Sequence, residues 1–437
     1  MAVTAEIVKT TPWWWEAAPP SDRSATALRK SVDVAVIGAG FTGMSAAIQL
    51  ARAGRSVLVL DSEDPGSGAS KRNGGMIGSG HRVGLEMLEQ RYGRERGLAV
   101  LKEGLNALAF TTGFIEEEGL DCRFVRCGRF RGAWTTGAYD AMAREVEEMS
   151  GLIGLEAEIV AKQDVHKEVA TDKYQGGCIY LQHGGLHPGL FHQALLDKAE
   201  AAGATVIGRT PVTGLEKGGN GFTLTTPRGT TSARDVVVAT NGYSGPLLPH
   251  FRRRIIPVPS YVAATEELGK NRVKALFPSG RMVVESRARH CYYRPSPDGR
   301  RVLIGARPAA HHIDPLKGGE INRRLLADLF PQLEGVKMTH AWRGNTGMSY
   351  DDIPHIGKLE RGPLEGLHFA LGYSGSGVAM APYLGYRVAH KVLGNSEGDT
   401  AFDGLPHPAV PFYWGWPWFL PFVSAWYRYK DLREGSV

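Results

Sequence analysis

The sequence predicts an α/β protein organised around a parallel sheet. Three observations predict it. Residues 32–61 read strand, G-x-G-x-x-G, helix, strand and a terminal acid. Two later apolar runs, 235–240 and 367–371, also stop at glycines. Glycine itself is abundant, at 56 of 437 residues, where average usage of roughly 7% would supply about 30. The excess follows no Gly-X-Y period, so it belongs to tight turns and close backbone approaches inside ordered structure.

Each part of the first unit has a mechanical reason. Residues 32–37 (VDVAVI) form the β-branched run of a buried parallel strand. Gly38 permits the tight turn, Gly40 lets the backbone approach a pyrophosphate, and Gly43 allows close helix–strand packing. A helix is expected over 44–53, with Phe41 and Thr42 at its mouth, where free N–H groups and the positive dipole end attract phosphate. Gly54-Arg55-Ser56 ends it, and the strand 57–60 leads to Asp61, placed to accept from a ribose, with Ser62 beside it.

The later elements repeat the design. The stretch 66–78 (GSGASKRNGGMIG) can lie flat beneath a large ligand, and it offers Ser70, Arg72, Asn73, Gly74, Gly75 and Met76. An amphipathic helix over 189–202 and a strand over 204–207 precede Val212. The run 235–240 ends at Thr240, Asn241 and Gly242. The run 367–371 ends at Gly372-Tyr373-Ser374-Gly375-Ser376-Gly377 and passes into a helix over 378–393. Residues 292–295 and 301–305 read as strands joined by the turn Ser296-Pro297-Asp298-Gly299.

Composition excludes several classes. The net charge is +6 over the whole chain, and the densest basic run, Arg252-Arg253-Arg254, has no interleaved aromatics, so nucleic-acid binding is not expected. The four cysteines form no CxxC pair and no metal-ligand pattern appears, so no metal is expected. No signal-peptide pattern and no run of about 18 apolar residues is visible, which points to the cytoplasm. A second G-x-G-x-x-G is absent, so an organic substrate, not NAD(P)H, is expected to be the reductant. The aromatic segment 412–421 is expected to pack over its own domain or a subunit partner rather than on a membrane, with Arg428, Lys430 and Arg433 following it.

Taken in order, VAVIGAGFTGMSAA, GSGASKRNGG, DVVVATNGY, the AWRG to D-x-P-x-x-G stretch (341–357, containing Gly347) and FALGYSGSGV resemble the D-amino-acid oxidase (DAO) family of FAD enzymes. The resemblance is greatest to its γ-glutamylputrescine oxidoreductase-like branch, which shares the aromatic arm Pro12-Trp13-Trp14-Trp15. It implies a GR2-type FAD-binding Rossmann domain in three pieces (32–82, 183–250, 340–398). It also implies an α+β substrate domain with a mainly antiparallel sheet (83–182, 251–339), an N-terminal arm (1–31) and an aromatic tail (399–437). The activity implied is oxidation of a C–N bond of a small-molecule amine or amino acid to an imine that water hydrolyses. γ-Glutamyl amines and secondary amino acids are among the candidates. Oxygen is the expected reoxidant. The alternatives are a dehydrogenase serving a quinone or protein acceptor, and a flavin-binding subunit without turnover.

The resemblance also assigns roles. Tyr292 and Arg307 match substrate-contacting positions, and arginine there can fork onto a carboxylate. Arg72 and Asn73 resemble residues lying against the flavin, and the helix opening at 375–377 supplies positive potential to its ring, with Ser376 where many relatives carry histidine. Leu303 matches an oxygen-promoting lysine, and Trp342 matches a covalent flavin cysteine, so noncovalent FAD is expected. His81 is a lesser candidate for attachment.

Overall fold

A computed structural model describes residues 8–287, 291–307 and 311–433. The first seven residues of the arm and the last four of the tail lie outside these. Two eight-stranded sheets organise the chain. In the first, the central strands run parallel in the order His368–Leu371, Gly229–Val238, Ser31–Ile37, Val57–Leu60 and Thr205–Ile207. His355–Lys358 closes one edge antiparallel, and the hairpin strands Gly214–Gly218 and Gly221–Thr226 extend from Gly229–Val238.

Every side chain of Val57–Leu60 is buried, because both faces are covered. On one face Val34, Val36, Val57 and Val59 pack under the helices Phe41–Arg52, Pro188–Ala201 and Gly377–Leu393. On the other, Ala35, Leu58 and Leu60 pack with Phe222, Phe251 and Ile255. The two helices that open at the cofactor turns touch backbone to backbone: a Cβ on Gly385 would stand 2.4 Å from the Thr42 carbonyl oxygen. Ser45 Oγ donates to the Pro382 carbonyl at 2.6 Å across the same contact.

The second sheet runs Met338–Ser349, Ile255–Thr265, Val302–Ala306, Tyr292–Pro295, Met282–Glu285, Arg129–Gly132, Gly176–Tyr180 and Ala157–Ala161. It is antiparallel except between Met282–Glu285 and Arg129–Gly132. Its alternation separates two faces. Phe130, Ala263, Val283, Tyr293 and Ile304 point into a core closed by the helix Pro315–Leu329. Their neighbours in sequence face the Rossmann half.

Three expectations change here. Residues 340–349 form part of the strand Met338–Ser349 and belong to the antiparallel sheet. The helix Arg94–Glu117, inside a segment assigned to the substrate domain, buries Val100, Ala107, Leu108 and Ile115 in the Rossmann core. It is also, among the described residues, the one helix long and apolar enough to cross a membrane, and its apolar face is instead taken up by this packing. The helix expected over 44–53 starts three residues earlier, at Phe41, directly on the glycine turn.

Candidate active site

The glycine-turn end of the site is built from backbone. Gly38 leaves the strand Ser31–Ile37 at φ +107°, where a side chain is strained, and its Cβ would meet the Ala239 carbonyl at 2.9 Å. Gly40 is the N-cap of Phe41–Arg52, and a Cβ there would press on Ser70 Oγ. That hydroxyl accepts from the Phe41 N–H at 2.9 Å. A Cβ on Gly43 would sit 1.9 Å from the Gly38 carbonyl oxygen, so its glycine serves packing. Asp61 Oδ2 accepts from the Ala39 N–H at 2.7 Å and Oδ1 from the Glu63 N–H at 3.0 Å, while burial raises its carboxyl pKa.

A cavity of about 1580 Å³ runs from this turn. Gly38, Gly40, Phe41, Thr42, Asp61, Ser62, Ser70, Arg72, Asn73 and Val212 line it. Thr240, Asn241, Gly242, Tyr373, Gly375 and Gly377 line its remaining walls. Asn241, at φ +43°, accepts from the Gly372 N–H at 2.9 Å, and Gly347 approaches the same carboxamide so closely that a Cβ would lie 2.2 Å from it. Gly75, Gly347 and Gly372 line neither this cavity nor its neighbour; they let chains pass close together. Thr42 Oγ1 and Tyr373 Oη join at 2.6 Å and tie the two helix mouths.

Arg72 and Asn73 shape the glycine loop. Arg72 Nε donates to the Ser67 carbonyl (2.6 Å), Nη1 to that of Arg343 (3.1 Å), and its guanidinium lies 4.7 Å over the Trp15 ring. Asn73 donates to the Ala69 and Ser70 carbonyls and accepts from the Gly75 N–H. Two indoles anchor the same loop: Trp14 Nε1 donates to the Asn73 carbonyl and Trp342 Nε1 to that of Arg72.

A second cavity of about 930 Å³ adjoins the first, and Arg72, Asn73, Asn345, Thr346 and Gly375 line both. Gly74, Met76, Ser374 and Ser376 fall in its wall, so these four sit on its side of the shared boundary. Ser376 caps Gly377–Leu393, and its hydroxyl donates to the Gly80 carbonyl. The opposite wall is the Rossmann-facing side of the antiparallel sheet, with Ser260, Val262, Val284, Tyr292 and Arg307. The Tyr292 ring lies over Gly74 and Gly305, where a Cβ would come within 2.5 and 2.1 Å of it.

Arginine dominates this second cavity. Arg131 pairs with Glu145 (3.0 Å) and Tyr180 Oη (3.2 Å), Arg82 with Asp352 (3.2 Å), and Arg287 with Glu285. Among the described residues Arg129 and Arg307 have no carboxylate partner. Burial, then the nearby Arg82, lowers the Arg307 guanidinium to about 10, and it remains charged at neutral pH. His81 also lines this cavity against Phe402, and burial holds its imidazole at about 4, neutral at physiological pH.

Leu303 lines neither cavity; it is buried with Trp14, Val262 and Trp342. None of the four cysteines lines either of these two cavities, and three are buried. Sequence reasoning missed Arg129, Arg131 and the loop-anchoring indoles. It also missed His192, whose Nε2 sits 2.6 Å from the Ala39 carbonyl. Among the described residues no cluster of metal-ligating side chains is present.

The residues fit a dinucleotide at three points: glycines where a Cβ would fill the cradle, two helix mouths facing the cavity, and a buried Asn345 Oδ1 without a partner on its wall. A Rossmann sheet feeding such a cavity, with a polar chamber beside it, defines a dinucleotide-dependent redox enzyme. The chain belongs to the DAO family of FAD-dependent oxidoreductases, whose model matches residues 33–391. It is 32% identical over 411 residues to a probable oxidoreductase OrdL of Rhizobium meliloti (strain 1021), covering 92% of each chain. It is 29% identical over 410 residues to gamma-glutamylputrescine oxidoreductase of Escherichia coli (strain K12), again covering 92% of each. The crystal structure of glycine oxidase from Geobacillus kaustophilus superposes with a TM-score of 0.73 at 24% identity, over 88% of this chain and 99% of that one. The protein is therefore an FAD-dependent amine or amino-acid oxidoreductase.

Proposed function

We propose that the enzyme oxidises the C–N bond of a small amine that carries a carboxylate, with Arg307 as the carboxylate anchor and Tyr292 as a wall of the binding chamber. The observation that carries this reading is a charged guanidinium that forms no ion pair among the described residues, Asp352 being paired with Arg82 and acting on it only at longer range, in a chamber opening onto the dinucleotide cavity. FAD, when bound, supplies the two-electron acceptor for the substrate C–H bond. Gly38, Gly40, Asp61 and Asn241 would hold the dinucleotide, noncovalently. The first N–H groups of Gly377–Leu393 open at the cavity and would meet negative charge on the bound dinucleotide. Arg307 fixes the substrate's anionic end and so sets which hydrogen faces the acceptor. Water then hydrolyses the imine product.

The gamma-glutamyl compound in the name of the Escherichia coli relative has this combination of amine and distant carboxylate, which makes γ-glutamyl amines the first substrates to try. Oxygen is the proposed reoxidant in a cytoplasmic setting suited to four free thiols. A second reading, transfer to another acceptor, rests on the resemblance, which gives lysine to the position of Leu303; that side chain is packed with Trp14, Val262 and Trp342 away from both cavities. The test is anaerobic addition of γ-glutamyl amines, secondary amino acids and simple amines, read as bleaching of the flavin's visible band. No bleaching by any of them overturns the proposal. Turnover with oxygen against an artificial acceptor separates the two readings.

A further inference from the structure

Two sequence features without a part in the proposed chemistry, the basic run 252–254 and the aromatic tail, meet on one face of the molecule. The Val410 N–H donates to the Arg253 carbonyl at 2.9 Å, and the Arg253 guanidinium lies 3.9 Å over the Trp414 ring. Tyr413 is buried, its hydroxyl donating to the Ile255 carbonyl, so the start of the tail is fixed on the body. Phe419 and Leu420 pack with Tyr413 against Ile256 and Met348, as a tail lying on its own domain should, but most of the other rings of the tail are exposed. Phe412, just before Tyr413, is 83% exposed, Trp416 76% and Phe422 70%, and Trp414, Trp418, Trp426 and Tyr429 are exposed with them. Phe422, Trp426 and Tyr429 extend the patch along the helix Leu420–Arg433. Among the described residues Arg252, Arg253 and Arg254 have no carboxylate partner. The side chains of Arg428 and Lys430 lie outside the described set.

We propose that this face docks the protein on an anionic phospholipid surface. Tryptophan, tyrosine and phenylalanine beside arginine are the side chains that settle at a bilayer's headgroup level, where an apolar ring and a charge are satisfied together. A second copy of the chain fits the patch less well. A two-fold contact presents the same surface to itself, which would set the unpaired arginines of one copy against those of the other. An anionic bilayer neutralises them instead. The patch is continuous with the mouth of the dinucleotide cavity, whose wall includes Trp416, Pro417, Trp418 and Pro421.

The experiment uses the full-length, FAD-loaded protein and sedimentation with phosphatidylcholine vesicles, with and without phosphatidylglycerol. The expected result is binding to the anionic vesicles at least tenfold stronger than to the neutral ones, released by salt near 1 M, where the Debye length falls to about 3 Å. Each arginine near such a surface strengthens binding about fivefold, so Arg252→Ser with Arg253→Ser weakens it about 25-fold. Trp414→Ser, Phe422→Ser and Trp426→Ser together abolish it while FAD content and thermal midpoint stay unchanged. Absence of sedimentation, equal binding to both vesicles, or binding that survives both variant sets overturns the proposal. So does light scattering that shows a dimer dissolved by the aromatic substitutions with no vesicle binding.

Discussion

Replacing Arg307 by methionine separates a carboxylate anchor from a structural arginine. The guanidinium stands one residue past the strand Val302–Ala306, on the face of the sheet that lines the second cavity. Burial and the neighbouring Arg82 pull it from its ordinary 12.5 to about 10. At about 1.4 kcal/mol per pKa unit this amounts to about 3 kcal/mol of charge left uncompensated. A substrate carboxylate in contact with it recovers part of that, and a charge-assisted hydrogen bond contributes about 1.5–3 kcal/mol. Arg307→Met should therefore lower kcat/KM for a carboxylate-bearing amine by roughly 10- to 150-fold. The corresponding amine without the carboxylate should change little, because it never met the guanidinium. Arg307→Lys keeps the charge but loses the planar fork, so it should fall between the two. The assay is steady-state kinetics on the paired substrates, with flavin content as the control for folding. The sign of the pH dependence is also set: the charged form exists below about 10, so KM for the carboxylate substrate stays flat through neutrality and rises above that value. An equal fall for both substrates, or no fall for either, refutes the anchor.

Gly43→Ala places a Cβ 1.9 Å from the Gly38 carbonyl oxygen, a backbone atom that cannot step aside, so FAD retention after gel filtration should drop more than about tenfold by its effect on the phosphate turn. Gly137→Ala, on a helix with open space around it, should leave retention unchanged. Tyr292→Phe should reduce kcat/KM about fivefold in steady-state assays, the loss of about one hydrogen bond. Gly305→Ala should cost more, since its Cβ would stand 2.1 Å from the Tyr292 ring and displace it. Lys71 is fully buried, donates to the Pro19 carbonyl (3.0 Å) and Gln193 Oε1 (3.3 Å), and burial lowers its ammonium from 10.5 to about 8. The charged form thus costs the folded state about 3 kcal/mol at neutral pH. The unfolded chain holds that proton up to 10.5 and the folded chain only to about 8, so wild-type stability rises between these values. Lys71→Met, losing two hydrogen bonds of about 1 kcal/mol each, should be about 1 kcal/mol more stable at pH 7 and lose that advantage by pH 10, read from urea midpoints.

The cofactor turn was legible because its constraints are local. A strand, three glycines with fixed spacings and a terminal acid lie within thirty residues, and each glycine reports a backbone approach that the structure contains. The arginine chamber was not legible, since it depends on pairing across long separations. Arg129 and Arg131 reach the wall only because Arg129–Gly132 lies parallel to Met282–Glu285. The alternating pattern Arg129-Phe130-Arg131 was the available signal: Phe130 is fully buried in the core of the antiparallel sheet, and the arginines take the other face. The boundary at 340 failed for a related reason. Trp342 is an apolar side chain on either assignment, and only its pairing with Val262 shows which sheet it joins. The indoles of Trp14 and Trp342 donate to adjacent carbonyls of one loop from positions 328 residues apart in the chain, which no spacing rule connects.

The two halves also divide the work by the kind of atom each supplies. The Rossmann half meets ligand with backbone: N–H groups at two helix mouths and glycines that remove side chains from the path. The antiparallel half meets it with side chains on one face of a sheet, where residues two apart point the same way and charge can be placed at intervals. Backbone donors at a helix mouth recognise a dinucleotide whose phosphates are constant, and side chains can change from relative to relative without altering the fold. Ser376 sits where these halves join, capping Gly377–Leu393 while its hydroxyl holds the Gly80 carbonyl over the second cavity. A histidine in its place would have to give up that contact or reach it through a ring. The identity of residue 376 therefore couples the helix Gly377–Leu393 to the Gly80 segment of the second cavity's wall.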